Sequence, residues 1–215
     1  FQNVFLLDVV QAIGKVNFSF SESNVMSAII SAHKFGGPKG IGAAIFNSNF
    51  DINPIIKGGG QEKRLRSGTE NIIGIVGFAK ALEVSVKKVR EGEWEKIEEL
   101  RNFLENEILS ISNSSVVVGK QLNRLPNTSC ILTPGWNGNN QVIQLDLAGF
   151  SVSAGSACSS GKVTPSKTLV KLGYNNDISK NAIRVSLGIK TKKNDVELFL
   201  KEWKSLYNQW SRYVA

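Results

Sequence analysis

The sequence predicts an α/β protein of two domains. In the first part, short apolar runs bounded by Gly, Asn or Pro indicate strands, and long stretches of helical periodicity follow; strands and helices then alternate to the end. The 215 residues, 41% hydrophobic and 20% charged, have the proportions of an ordinary globular protein. The pattern changes near Glu91-Gly92, which predicts one domain over residues 1–91 and a second over 92–215.

The first domain is predicted to contain a mostly buried sheet followed by helices. Its three strands are Val4–Leu7, Ser27–Ile30 and Ala43–Phe46. Gly58–Gly60 marks a loop, after which Glu70 to about Arg90 shows helical spacing. A second helix, which opens the second domain, carries an apolar stripe of Trp94, Ile97, Leu100, Leu104 and Ile108.

The rest of the second domain is predicted to alternate between strands and helices. The strands are Ser115–Val118, Ser129–Leu132, Val142–Leu145 and Ile183–Leu187. Thr164-Pro165 is a favourable cap and first-turn pair for a helix that ends at Gly173. The last helix carries a packing stripe of Val196, Phe199, Leu200, Trp203, Leu206 and Trp210.

Composition excludes several classes of protein. There is no apolar run of about 18 residues and no signal-peptide pattern, so we expect a soluble, cytoplasmic protein with no membrane partner. With two cysteines and one histidine, a permanent metal centre is not expected. The net charge of +8 comes from scattered lysines without a nucleic-acid-binding motif, which favours solvated faces or an acidic protein partner over nucleic acid.

The stretch SAHKFGGPKG, residues 31–40, holds the only histidine of the chain, His33, beside Lys34. Lysine forms Schiff bases with aldehydes, and an apolar strand runs into Ser31 before the chain turns at the glycines. Ser31 and His33 offer a hydroxyl and an imidazole that suit a phosphate ester. These residues indicate a lysine that binds pyridoxal phosphate; the alternative is a basic surface loop.

Asp8 directly follows the first apolar strand, and Gln11 lies three residues further on. A carboxylate at the end of a buried strand needs a cationic partner, and the pyridinium nitrogen of pyridoxal phosphate is one. Gln11 is placed to donate to the phenolic oxygen of the ring. The alternative is that Asp8 caps a helix over Val9–Ile13.

Two residues of the second domain indicate chemistry. Cys158 lies among small residues in SAGSACSSG, which predicts an exposed loop with a nucleophilic thiol, although an incidental loop cysteine has the same surroundings. Cys130, in TSCILT, is predicted to be buried and inert. Arg184 is a charge within an apolar strand, which suggests a carboxylate partner such as an amino-acid substrate.

Five motifs in this order resemble one family over essentially the whole chain. They are Asp8–Ala12, SAHKFGGPKGIG, Gly58–Glu62 with Arg66–Asn71, SAGSACSSG, and Arg184–Gly188. The chain resembles the cysteine desulfurases of the NifS and IscS type. The resemblance implies fold type I, the aminotransferase-like fold of pyridoxal phosphate enzymes. Residues 1–91 would be the C-terminal part of the large domain, and 92–215 the small domain with the persulfide loop.

The resemblance also implies an activity and partners. Such enzymes convert L-cysteine to L-alanine and hold the sulfur as a cysteine persulfide. They are homodimers that pass sulfur to iron–sulfur scaffold proteins or other acceptors.

By the same resemblance, each site residue receives a role. Lys34 would attach the cofactor's aldehyde, Asp8 would pair with the pyridine nitrogen and Gln11 would donate to the phenolic oxygen. Ser31 and His33 would hold the phosphate, and Thr69 would reach the phosphate of the neighbouring subunit. Arg184 would bind the substrate carboxylate. Cys158 would carry the persulfide and meet metal only transiently during cluster assembly.

The sequence departs from the family at its start. The family has half of the large domain ahead of the position of Phe1, and Leu6 stands where a histidine is common. An upstream segment is therefore expected to complete the site. Two alternatives remain: a catalytically silent fragment or binding module of this fold, and a selenocysteine-specific variant of the enzyme.

Overall fold

The computed structural model describes residues 5–48, 52–155 and 166–214. The chain divides into two compact units, Phe1–Glu93 and Trp94–Ala215. Each unit has its own sheet and its own apolar core. The predicted fold class, α/β, is therefore seen in both units.

The first unit is a three-stranded sheet with one long helix. The strands are β1 (Leu6–Asp8), β2 (Ser27–Ser31) and β3 (Gly42–Phe46), and the helix is α1 (Ile72–Arg90). β2 lies in the middle, parallel to β1 and antiparallel to β3. α1 begins after Asn71, whose side-chain oxygen accepts a hydrogen bond from the backbone N–H of Gly74 at 3.0 Å.

The expectation of a mostly buried sheet is wrong for the two outer strands. Ala28 and Ile30 of β2 are buried and form a small core with Val9, against which Phe78 of α1 packs. Leu6 of β1 and Phe46 of β3 are exposed instead. One helix covers too little area to bury both edges of the sheet within this unit.

The second unit is an antiparallel sheet packed against helices. It contains α2 (Glu93–Ile111), β4 (Val116–Val117), β5 (Thr128–Leu132), α3 (Gly138–Leu147), β6 (Ser153–Ala154), α4 (Lys167–Lys171), α5 (Asn176–Ser179), β7 (Ala182–Ser186) and α6 (Lys193–Val214). The strand order is β4-β5-β7-β6. The core joins residues of the sheet and of α2, α3 and α6, with Trp136 and Trp203 almost completely buried.

The predicted strand Val142–Leu145 is wrong, because these residues lie in α3. Asn137 caps the helix by accepting a hydrogen bond from the backbone N–H of Asn139 at 2.9 Å. Gln141 and Leu145 are buried four positions apart while Ile143 is 60% exposed, which is the spacing of a helix face. The positions of the apolar residues alone did not distinguish the period of a helix from that of a strand.

Three short elements also differ from the prediction. β6 and α5 were not predicted, since two and four residues carry too little periodic signal. α4 is capped by the Ser166 hydroxyl, which accepts from the backbone N–H of Leu169 at 3.4 Å. The predicted start at Thr164-Pro165 lies outside the described residues.

Within the described ranges, none of the helices has the length and apolarity to cross a membrane. The same part of the chain contains no group of three or more His, Cys, Asp or Glu side chains arranged to hold a metal ion.

Candidate functional site

The first unit brings Asp8 and Lys34 to the same edge of its sheet. Asp8 is the last residue of β1, and Lys34 ends a 3₁₀ turn, Ala32–Lys34, that directly follows β2. Because β1 and β2 are parallel, their carboxyl ends lie side by side. In open α/β sheets, ligands bind at this edge.

The turn that carries Lys34 is held against α1 by tight packing. The backbone N–H groups of Phe35 and Gly37 both donate to the carbonyl of Ala32, at 3.1 and 2.9 Å. The rings of Phe35 and Phe78 meet edge to face, with centroids 5.5 Å apart and an interplanar angle of 72°. A Cβ on Gly37 would lie 2.8 Å from the Cβ of Ala32, so a larger residue would displace the turn.

Ser31 and His33 form a polar pair beside Lys34. The Ser31 hydroxyl oxygen and Nδ1 of His33 are 2.8 Å apart. His33 and Lys34 are exposed and Ser31 is half-buried, so all three side chains are accessible to a ligand. A hydroxyl, an imidazole and an ammonium next to one another are donors that suit a phosphate group.

Asp8 is exposed, which differs from the buried carboxylate that the sequence suggested. Its Oδ1 accepts a hydrogen bond from the backbone N–H of Val10 at 3.0 Å. The alternative of a capped helix over Val9–Ile13 is not realised, because residues 10–15 form hydrogen-bonded turns. Gln11 lies on these turns with an exposed side chain, close in sequence to the carboxylate.

Lys15 is a charged residue of this region that sequence reasoning missed. Its Nζ donates to the backbone carbonyl of Gln11 at 2.8 Å. Burial lowers the pKa of Lys15, and the positive charge of nearby Lys34 lowers this pKa further. The sequence contains no signal for the proximity of the two lysines, because it is set by how β1 and β2 pair.

Thr69 lies on the loop ahead of α1 and is exposed. Its predicted contact with a neighbouring subunit stays a prediction, since one chain is described.

In the second unit, Arg184 lies at the centre of a row across three strands. Cys130 of β5 is its partner on one side and Ser153 of β6 its partner on the other. Directly paired residues of antiparallel strands project from the same face of the sheet, so the three side chains are neighbours. None of the ion pairs found among the described residues involves Arg184. The carboxylate that the sequence suggested as its partner is therefore not an Asp or Glu side chain of these pairs.

Cys130 is half-buried rather than fully buried as predicted. Burial raises the pKa of its thiol, and the guanidinium of Arg184 opposes this by lowering the pKa. The thiol is therefore largely protonated at neutral pH, which agrees with the expectation that it is inert. The predicted nucleophile, Cys158, lies outside the described residues.

The profile of the class-V aminotransferase family matches residues 2–199, which is nearly the whole chain. The chain belongs to the class-V aminotransferase family. The match includes every predicted site residue, from Asp8 to Arg184. The resemblance stated from the motifs and the predicted fold type I are both confirmed.

Several relatives of this class-V aminotransferase chain are named cysteine desulfurases. IscS of Dictyoglomus turgidum is 37% identical over 196 residues, which are 91% of this chain and 50% of that protein. The desulfurase of Bradyrhizobium diazoefficiens is 40% identical over 194 residues, 90% of this chain and 49% of that protein. A solved NifS-like protein from Rickettsia africae, 34% identical, superposes with a TM-score of 0.85 and covers 95% of this chain and 54% of that protein. The chain thus spans about half the length of the curated relatives it matches.

Proposed function

We propose that this chain is part of a pyridoxal phosphate-dependent cysteine desulfurase that converts L-cysteine to L-alanine. The observation that carries the proposal is Lys34, fixed on a packed turn at the sheet edge where Asp8 also lies. The names of the relatives support the same activity.

The residues of the first unit suit the cofactor. Lys34 would attach its aldehyde, and the neighbouring Ser31 and His33 would donate to its phosphate. Asp8 would pair with the pyridine nitrogen through the carboxylate oxygen that Val10 does not use, and Gln11 would donate to the phenolic oxygen. When bound, pyridoxal phosphate supplies an aldehyde for the lysine and a ring that accepts electrons from the substrate.

The second unit would bind substrate and accept the sulfur. Arg184 has no acidic partner among the described residues, so its guanidinium is free to bind the carboxylate of cysteine. Lys34 would move the proton at the substrate's α carbon. Cys158 would attack the substrate sulfur as a thiolate, so that an S–S bond forms as the bond from sulfur to the substrate's β carbon breaks. The electron pair of the broken bond would stay with the carbon skeleton, which takes up a proton to give alanine, and Cys158 would hold the sulfur as a persulfide until an acceptor protein takes it.

Two kinds of protein partner belong to the proposal. One is a second subunit, in which Thr69 would reach the cofactor's phosphate. The other is a sulfur acceptor such as an iron–sulfur scaffold protein. A selenocysteine-specific enzyme would use the same residues.

We further propose that polypeptide equivalent to the unmatched half of the relatives completes the site. The exposed apolar side chains of the first unit support this. Phe5 just before β1, Leu6 of β1, and Ile72, Ile73 and Val76 of α1 are all more than half exposed.

Persulfide trapping tests the sulfur-transfer step, with the two cysteines as a matched pair. The protein, supplemented with the upstream half of a relative and with pyridoxal phosphate, is treated with L-cysteine, alkylated and mapped by mass spectrometry. We expect an extra sulfur on the Cys158 peptide, its loss in Cys158→Ser, and its retention in Cys130→Ser. An extra sulfur that persists in Cys158→Ser would refute the assignment, and its absence from all three proteins would favour the catalytically silent alternative.

A further inference from the structure

Lys15 is a half-buried amine to which the proposed chemistry gives no role. It is the last residue of the turns over residues 10–15. Its Nζ donates a hydrogen bond to the backbone carbonyl of Gln11, within the same turns, at 2.8 Å. The ion pairs seen in the described part of the chain do not include Lys15. The Lys15 ammonium is therefore held by a hydrogen bond to a backbone carbonyl and not by an ion pair.

The backbone before Lys15 packs directly on the site. Gly14 has a φ of +73°, and a Cβ there would lie 2.7 Å from the hydroxyl oxygen of Ser85 and 3.2 Å from the Cβ of Phe35. Phe35 is the residue after Lys34. The turn that carries Gln11 and Lys15 therefore lies against both α1 and the Lys34 turn.

Lys34 is the charge that acts on Lys15 in this cluster. Burial lowers the pKa of Lys15 most, and the positive charge of Lys34 is the second cause. Several other charged or titratable groups on the packed elements have local partners. The Asp8 carboxylate accepts a hydrogen bond from the Val10 N–H, and His33 Nδ1 lies 2.8 Å from the Ser31 hydroxyl. On α1, Lys80 pairs with Glu83 at 3.0 Å and Lys87 pairs with Glu91 at 3.6 Å. Lys88 and Arg90 lie further along α1.

We propose that Lys15 is a positioning residue of the Lys34 site: its hydrogen bond to the Gln11 carbonyl holds the turn that carries Gln11, and this turn packs on Phe35, directly after Lys34. This inference rests on the proposed function, since it assigns Lys15 to the binding of the same cofactor.

A cofactor-free measurement tests the coupling of the two lysines. The pH titration of the Lys15 side chain is followed by NMR in the unmodified chain and in Lys34→Gln, Lys34→Arg and Lys39→Gln; exposed Lys39 on the following turn is the control. We expect the midpoint for Lys15 to rise in Lys34→Gln, because one of the two causes that lower it is removed, and to stay in place in Lys34→Arg and Lys39→Gln. An unchanged midpoint in Lys34→Gln would overturn the proposal.

A second measurement tests the positioning itself. The protein, supplied with the upstream half of a relative, is incubated with pyridoxal phosphate and then reduced with borohydride, and the fraction of Lys34 that carries the reduced adduct is measured by peptide mass spectrometry. We expect Lys15→Met to lower this fraction by about fivefold, the size expected for loss of one fixing hydrogen bond, whereas Lys15→Arg and Lys39→Met keep most of it. Equal labelling of Lys34 in Lys15→Met and the unmodified chain contradicts the proposal. Absence of any Lys34 adduct in the unmodified chain counts against the proposed function, and the NMR titration then decides the lysine coupling separately.

Discussion

Arg184 and Cys130 face each other across β5 and β7, and this pairing has a measurable consequence. The guanidinium favours the thiolate of Cys130, while burial disfavours it more strongly. We expect Arg184→Gln to raise the pKa of Cys130 further and to slow its alkylation by iodoacetamide at about pH 8. Alkylation is followed by mass spectrometry of the Cys130 peptide, with Arg212→Gln on the exposed end of α6 as the control. Faster alkylation in Arg184→Gln would contradict the observed neighbourhood.

The same thiol predicts a pH dependence of stability. Its pKa in the folded unit is raised above the ordinary value of 9.0. The folded state therefore favours the protonated thiol, a contribution that is fully present below about pH 9 and is lost as the pH rises through the folded-state pKa. The free energy of unfolding of the natural chain relative to Cys130→Ser should fall over the pH range above about 9. A difference that does not vary over this range contradicts the prediction.

For individual residues, the sequence predicted which side chains lie at the site better than it predicted what surrounds each of them. Lys34 and Asp8 were predicted together from their positions after apolar strands, and both lie at the carboxyl edge of the sheet. The exposure of the Asp8 side chain was not predictable, because it depends on what covers the outer strand β1. Lys15 was missed for a similar reason, since its proximity to Lys34 arises from the pairing of two strands.

Within the second unit, one buried carboxylate joins helix α2, strand β5 and the loop between β4 and β5. Glu105, 1% exposed, accepts hydrogen bonds from the hydroxyl of Ser129 and from both terminal nitrogens of Arg124, the latter at 2.9 and 3.0 Å. Nε of Arg101 lies 3.8 Å from the same carboxylate. Removing this negative charge would leave two largely buried guanidinium groups with less compensation.

We therefore expect Glu105→Gln to lower the free energy of unfolding of the second unit by about 3 kcal/mol. Urea denaturation followed by tryptophan fluorescence measures this, because all four tryptophans lie within residues 94–215. Exposed Glu107→Gln, on the same helix, should change it by less than about 0.5 kcal/mol. Equal effects of the two substitutions would show that the network does not stabilise the unit.

The packing of α1 on the Lys34 turn gives a prediction for the first unit. Phe78→Ala removes the edge-to-face contact with Phe35, worth about 1 kcal/mol beyond its buried area. Amide hydrogen exchange at Phe35 and Gly37, which both donate to Ala32, should then accelerate by about fivefold or more. Val84→Ala, at an exposed position of α1, serves as the control and should leave these amides unchanged. Unchanged exchange in Phe78→Ala would mean that α1 does not hold the turn.

Long elements were predicted well and short ones poorly. The apolar stripe from Trp94 to Ile108 predicted α2, and α1 and α6 follow their periodicity in the same way. Val142–Leu145 was misread as a strand because its residues suit either period, and the helix is decided by the Asn137 cap and the burial of Gln141. Tertiary packing, which a single sequence does not display, resolves such cases.

For the whole molecule, the main feature is the exposed apolar surface of the first unit together with coverage of about half of each relative. If equivalent polypeptide completes this unit, adding the upstream half of a class-V relative should lower the fluorescence of the hydrophobic dye ANS. It should also slow amide exchange in β1 and α1 without changing exchange in α6. Unaltered exchange in β1 and α1 at saturating concentrations of the added half would contradict this part of the account.

The central claim is that Lys34 binds pyridoxal phosphate, and the most direct measurement is to locate the attachment site. The protein, with the upstream half of a relative supplied, is incubated with pyridoxal phosphate, reduced with borohydride, digested and sequenced by mass spectrometry; Lys34→Ala and Lys39→Ala are treated alike. The account predicts a reduced cofactor on the peptide containing Lys34, retained in Lys39→Ala and lost in Lys34→Ala. Labelling spread over several exposed lysines, or unaffected by Lys34→Ala, would contradict it.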